Sequence, residues 1–270
     1  MKQTNTKPET AMPQTGSHPT TAIAKTITNP YLLALIYTAL MAATMATARY
    51  AFNAPYASAN FPTGIALPMI IVTGFTLWVA HTTQTNWVGQ WHNWKAWAWV
   101  APWLVLEAIL LALLIGAANT NPHLWGSLTI GAVTFALVGI SEEVMFRSVI
   151  LKQLASRYTL PIAMLGSAVL FSLMHAVNPI GGLSLGESAT QLWATFLFGM
   201  ALAPLAVLGR TIVPLIVMHA LWDFLVVAAS NVPELAPTLG LVVLADQWLR
   251  IGIAIVAWLV VLVRYRGGKL

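Results

Sequence analysis

Apolar residues in this chain gather into eight long runs separated by short polar breaks. The runs fall at roughly 31–48, 62–80, 97–118, 125–154, 160–177, 189–208, 211–229 and 244–263. Each comes close to the ~20 apolar residues that a helix needs to cross a bilayer. The pattern predicts an all-α, polytopic membrane protein of about eight transmembrane helices. Residues 1–30 precede the first run and are rich in Thr, Pro, Gln and Lys. Such a segment cannot bury a core and is expected to be a disordered polar tail. It does not resemble a cleavable signal peptide, because the first apolar run starts late and is long enough to span. Residues 31–270 are then one integral membrane domain.

Composition strengthens this assignment. Hydrophobic residues make up 58% of the 270 and charged residues only 8%, against roughly 25% charged in a soluble domain. Mean hydropathy is +0.76. These values exclude a cytosolic enzyme, a disordered chain and a secreted disulfide scaffold. The chain has no Cys, which removes thiol nucleophiles, thiolate metal sites and iron–sulfur ligation.

The positive charges set an expected orientation. With eight spans both termini share a side. Placing them in the cytoplasm puts Lys2, Lys7, Lys25, Lys95, Lys152, Arg157, Arg210, Arg264, Arg266 and Lys269 there, and leaves Arg49 outside with Glu187 and Glu234. The expectation is a multi-pass protein of the cell membrane with both termini cytoplasmic. The net charge of +5 is then explained by loops facing anionic lipid and calls for no nucleic acid.

Six ionisable side chains lie inside the fourth, fifth and seventh runs: Glu142, Glu143, Arg147, His175, His219 and Asp223. A charge at mid-span costs about 2.5–3.5 kcal/mol on insertion scales. A structural ion pair explains one pair of them but not the whole set. Glu143 and Arg147 are spaced i, i+4 with the acid first, the favourable order for a helical pair. Glu142 points about 100° away on an ideal helix and lacks an intrahelical partner. That makes Glu142 the candidate base, able to take a proton from water. Glu143 and His175 are equidistant from the turn at Ser156-Arg157-Tyr158-Thr159, so they are expected at similar depth and able to face each other. His219 and Asp223 share one face of the seventh span, and Pro214 one turn earlier would permit a kink.

Three stretches carry these residues: Glu142-Glu143-Val144-Met145-Phe146-Arg147, Phe171-Ser172-Leu173-Met174-His175 and His219-Ala220-Leu221-Trp222-Asp223. Together they resemble the EExxxR, FxxxH and HxxxN/D motifs of the CPBP family, which includes the type II CAAX prenyl proteases and proteins linked to bacteriocin processing and self-immunity. The resemblance covers about 125–229, with a catalytic core from spans four to seven. Ser148 stands where a Gly often follows the first motif. The resemblance implies an intramembrane endopeptidase with a chamber open to the cytoplasm. By that likeness Glu142 activates water with help from His175, while His219 and Asp223 stabilise the oxyanion. Glu143 and Arg147 support them. An ionised Asp223 only accepts hydrogen bonds, so its expected contribution is to orient His219.

Other functions compete. A divalent metal such as zinc held by Glu142, His175 and His219 is the alternative, but no HExxH is present and the spacing is not a standard one. The expectation is therefore that no cofactor is required. The expected partners are a peptide or membrane-protein substrate and the lipid bilayer. A non-catalytic immunity or scaffold protein would use the same chamber for binding, and a proton-coupled transporter would use its carboxylates as relays. Gly182-Leu183-Ser184-Leu185-Gly186 spells G-x-S-x-G but falls in a connection between helices, without the strand-to-helix elbow that motif needs. Glu107 is expected either to line the chamber or to pair with a neighbouring helix. Asp246 and Arg250 are expected to neutralise each other near the outer end of the last span. Trp87, Trp91, Trp94, Trp97, Trp99 and Trp103 suggest an aromatic belt at a membrane surface, and Gly199 with Ala203 suits close helix packing.

Overall fold

The computed structural model describes residues 27–268; the tail expected over residues 1–30 lies almost wholly outside them, as do residues 269–270. Eight helices are long and apolar enough to cross a membrane. They are α1 (Pro30–Ala51), α2 (Phe61–Thr82), α3 (Trp94–Thr120), α4 (Leu124–Ala155), α5 (Leu160–Gly181), α6 (Leu185–Gly209), α7 (Val213–Ser230) and α8 (Pro233–Arg266). The described residues form no strand. Helices satisfy all their own backbone groups, the condition for crossing hydrocarbon.

Local chemistry starts these helices where the sequence changes character. Asn29 caps α1 by accepting from the Tyr31 and Leu32 amides. Pro161 and Pro214 each sit in a first helical turn, where a missing N–H costs nothing. Pro214 therefore begins α7 and does not kink it. Ser184 and Glu187 form a reciprocal capping box at the start of α6. The serine of the G-x-S-x-G spelling is thus a helix cap. The last helix begins well before the apolar run at 244, because Ala236–Arg266 is one continuous α-helix. Asp246 and Arg250 are consequently well inside it and buried, not near its end.

Two breaks in α-helical geometry bear on the charged residues. Within α4 the chain widens to a π-helix over Val144–Ile150, a local insertion often found at functional sites. The α-helical part of α5 ends at Met174, and His175–Gly181 continues as a 3₁₀ turn.

Glycines bring the helices close. A Cβ on Gly139 of α4 would stand 3.0 Å from both the Ala220 Cβ and the Ile216 carbonyl of α7. A Cβ on Gly199 of α6 would come within 2.9 Å of the Ala168 Cα of α5. Small residues permit such approaches, and van der Waals packing then holds helices together in lipid. The buried centre includes Tyr37, Phe146, Phe171 and Trp103, whereas Leu67, Ile71, Leu259 and Val263 lie on outward faces. The Trp cluster divides accordingly: Trp91 and Trp94 are exposed, but Trp103 is buried and donates to Asp246 at 2.9 Å. Only part of the cluster fits a surface belt.

Candidate active site

The six residues singled out by sequence come from α4, α5 and α7. The close contact at Gly139 lies one turn before Glu143, so the α4 carboxylates meet α7 directly. His219 Nδ1 donates to Glu143 Oε1 at 2.7 Å. The other ring nitrogen, Nε2, lies 3.4 Å from Asp223 Oδ2 and 3.8 Å from Glu142 Oε2. One imidazole thus has three carboxylates around it.

Arg147 completes the charge balance from the other side. Its Nε is 3.3 Å from Glu143 Oε2, and both side chains are fully buried. Its guanidinium carbon lies 3.8 Å above the Phe171 ring, within the range of a strong cation–π contact. Phe171 also meets His175 edge-on at 5.0 Å and His219 at 6.0 Å between ring centres. It is the apolar spacer around which the charged groups are arranged.

His175 is anchored by the main chain of its own helix. Its Nδ1 lies 3.0 Å from the Phe171 carbonyl. A carbonyl only accepts, so Nδ1 carries the hydrogen and Nε2 keeps its lone pair. Its hydrogen bond goes to this carbonyl and not to Glu143. The C-terminal end of the α-helical segment fixes the ring there, with the 3₁₀ turn carrying the chain away.

Burial separates the members by access. Glu142, Glu143 and His219 are almost wholly enclosed, whereas the Asp223 side chain is 32% exposed. Glu142 Oε2 has no hydrogen-bond partner among the described residues. A cavity of about 400 Å³ opens at the bundle end that carries Lys152 and Arg210, and reaches Arg147 and Ser148. Ser148 is thus placed at the edge of that cavity.

The pairing of Glu143 with His219 escaped the sequence, which paired Glu143 with Arg147 and set it facing His175. It also gave the task of orienting His219 to Asp223. The signal was available in Gly139, whose missing side chain lets α7 approach. Outside the six, Tyr37 of α1 hydrogen-bonds to Ser141 at 2.9 Å and packs edge-on against Phe146, supporting the α4 segment from behind. Glu107 is buried on α3, with neither carboxylate oxygen hydrogen-bonded among the described residues. Asp246 takes Arg250 at 2.6 Å besides Trp103.

As a metal site the residues fit poorly. Among the described residues no three His, Asp or Glu side chains are grouped as ligands for one ion. His219 has Nδ1 committed to Glu143, and His175 presents its free nitrogen from a separate anchor.

Comparison with curated proteins and with solved structures returned no match. A family model does match: residues 123–225 fit the type II CAAX prenyl endopeptidase Rce1-like family. The match spans all three motifs and runs from the start of α4 through about the first two-thirds of α7. The segment that builds the charged cluster is therefore Rce1-like, in agreement with the CPBP resemblance carried by its three motifs.

Proposed function

We propose that this multi-pass membrane protein is an endopeptidase that hydrolyses a peptide bond within the bilayer, with Glu142 as base. The observation that carries this is the enclosed Glu142 carboxylate, whose Oε2 has no hydrogen-bond partner among the described residues and lies 3.8 Å from His219 Nε2. It sits inside the segment matching a protease family.

Glu142 takes a proton from water as the oxygen attacks the scissile carbonyl. His175, with Nδ1 tied to a carbonyl, offers Nε2 to accept from the same water. His219, flanked by Glu143 and Asp223, holds positive charge beside the developing oxyanion. Glu142 then returns its proton to the leaving nitrogen, giving a carboxylic acid and an amine. Arg147 keeps Glu143 in place. No step in this scheme requires a metal.

The substrate class is a membrane-associated peptide or protein. The termini are assigned to the cytoplasm. Arg157 donates to the Thr28 carbonyl, which places the start of α1 at the end of the bundle that also bears Lys152 and Arg210, the side expected to be positive.

The test compares a Glu142→Ala strain with wild type by profiling protein N- and C-termini in membranes. Termini that disappear in the variant name the substrate. Identical profiles overturn the hydrolase and favour a non-catalytic immunity or scaffold protein.

A further inference from the structure

A second group of buried charges lies outside the segment that matches the family. Asp246 and Arg250 of α8 are both buried. Arg250 Nε is 2.6 Å from Asp246 Oδ2, and Nη1 donates to the Ala194 carbonyl of α6 at 3.2 Å. Trp103 of α3 donates to the other Asp246 oxygen at 2.9 Å. Three helices thus fix one guanidinium in place.

Stability alone does not call for such a pair. Charges within a span are costly, and well-packed apolar residues often stabilise as much as a buried ion pair does. What the pair achieves is a contact. The Arg250 guanidinium carbon sits 4.6 Å from the centre of the Phe198 ring and 5.2 Å from that of Trp222, both within cation–π range. Phe198 is buried, and its ring meets the His219 imidazole with centres 4.9 Å apart and planes at 76°. Trp222 belongs to α7 itself, beside Asp223. The ion pair of α8 therefore reaches the imidazole through one intervening ring.

Around His219 this arrangement occurs twice. Phe171 meets the imidazole at 6.0 Å and 79°, and carries Arg147 at 3.8 Å. Phe198 meets it more closely and carries Arg250. The two phenyl rings also contact each other, with centres 6.2 Å apart. Each arginine has its own acid four residues earlier, Glu143 for Arg147 and Asp246 for Arg250. The hydrogen bond to Glu143 sets the direction of Nδ1. The flanking rings limit the tilt of the imidazole, and with it the position of Nε2.

We infer that Arg250 is a positioning residue for the hydrolysis: held by Asp246, it fixes Phe198 against His219 and so sets where Nε2 stands beside the developing oxyanion. This rests on the hydrolase proposal above. Arg250 acts through the ring and does not meet the substrate. The inference accounts for a charged pair kept inside α8. It also gives the last helix, which lies beyond the matched segment, a part in the reaction.

The experiment uses the purified full-length protein and a quenched-fluorescent peptide carrying a junction mapped by the terminal profiling. Rates are taken well below the melting temperature of every variant. Asp246→Asn combined with Arg250→Met removes both charges together, so no buried ion is left alone, and the new amide oxygen still accepts from Trp103. This double variant lowers kcat about 10- to 100-fold, the range for displacing a catalytic group by up to ~1 Å, with little change in KM. Phe198→Leu leaves the ion pair intact and lowers kcat to the same extent. Joining it to the double variant adds no further loss, because both act through one ring. Unchanged kcat in the double variant or in Phe198→Leu overturns the assignment, as does a loss confined to KM. Losses that multiply on combination also overturn it, since they mean that α8 serves packing alone. Wild-type protein that fails to cleave, equal to Glu142→Ala, overturns the hydrolase proposal and this assignment with it. Equal cleavage by wild type and the double variant overturns this assignment alone.

Discussion

Glu143 accepts the Nδ1 hydrogen of His219 at 2.7 Å, joining α4 to α7 through two fully enclosed side chains. The same carboxylate faces Arg147 at 3.3 Å. One acid therefore faces a buried guanidinium and a buried imidazole from different sides. Truncating it leaves the buried Arg147 guanidinium without its carboxylate and takes from His219 the nearest of the three around it, which is the costly way to break a buried pair. Glu143→Ala is expected to cost about 3–5 kcal/mol, whereas Glu143→Gln keeps the shape and loses less. Thermal unfolding of the two variants in the same detergent checks the order.

Asp223 lies 3.4 Å from His219 Nε2, close enough for its charge to act on the ring. Asp223→Asn removes that charge with almost no change of volume. The fold should survive, and the pH–rate profile should be displaced from that of wild type. Superimposable profiles would show that Asp223 does not act through His219.

Gly139 sets the distance between α4 and α7. A methyl group there meets Ala220 and the Ile216 carbonyl at 3.0 Å, and overpacking of this kind costs about 1–3 kcal/mol. Gly139→Ala should lower the melting temperature modestly. It should reduce hydrolysis more than stability, because the parting of the helices stretches the Glu143–His219 bond. Equal losses in both measurements would mean that the glycine serves packing alone.

Hydrolysis by Glu142 is expected to persist after dialysis against a strong chelator, since the mechanism proposed uses no metal. Activity that disappears on chelation and returns with zinc alone would place a metal in the mechanism. The assay requires only the mapped peptide and protein before and after treatment.

Much of this arrangement was legible in the sequence because lipid makes a simple demand. Each span had to be a long apolar run, so the eight helices were predicted to within a few residues at most of their ends. The exception was α8, where Ala236–Val243 is itself apolar and helical ahead of the expected start. The six ionisable residues stood out because charges are costly in such runs. Their partners did not, since pairing across helices depends on rotation and distance. A strict 3.6-residue period carries no sign of the π-helix at Val144–Ile150. The contact of Arg250 with the Phe198 ring joins α8 to α6, and neither residue belongs to a motif. Phe171 was visible as a motif letter, but its place under the Arg147 guanidinium required coordinates.

The widened turn in α4 lets one helix keep two appointments. Upstream of it, Glu142 and Glu143 are aligned with α7; downstream, Leu151 and Leu154 are buried, with Leu154 touching the position of Gly166 on α5. Ser167 of α5 donates to the Phe146 carbonyl at 2.7 Å, giving the loosened backbone an external partner. Removing a single residue between 144 and 150 would shift the two halves by about 100° relative to each other. The phase of this helix is thus as much a part of the machinery as the side chains it carries.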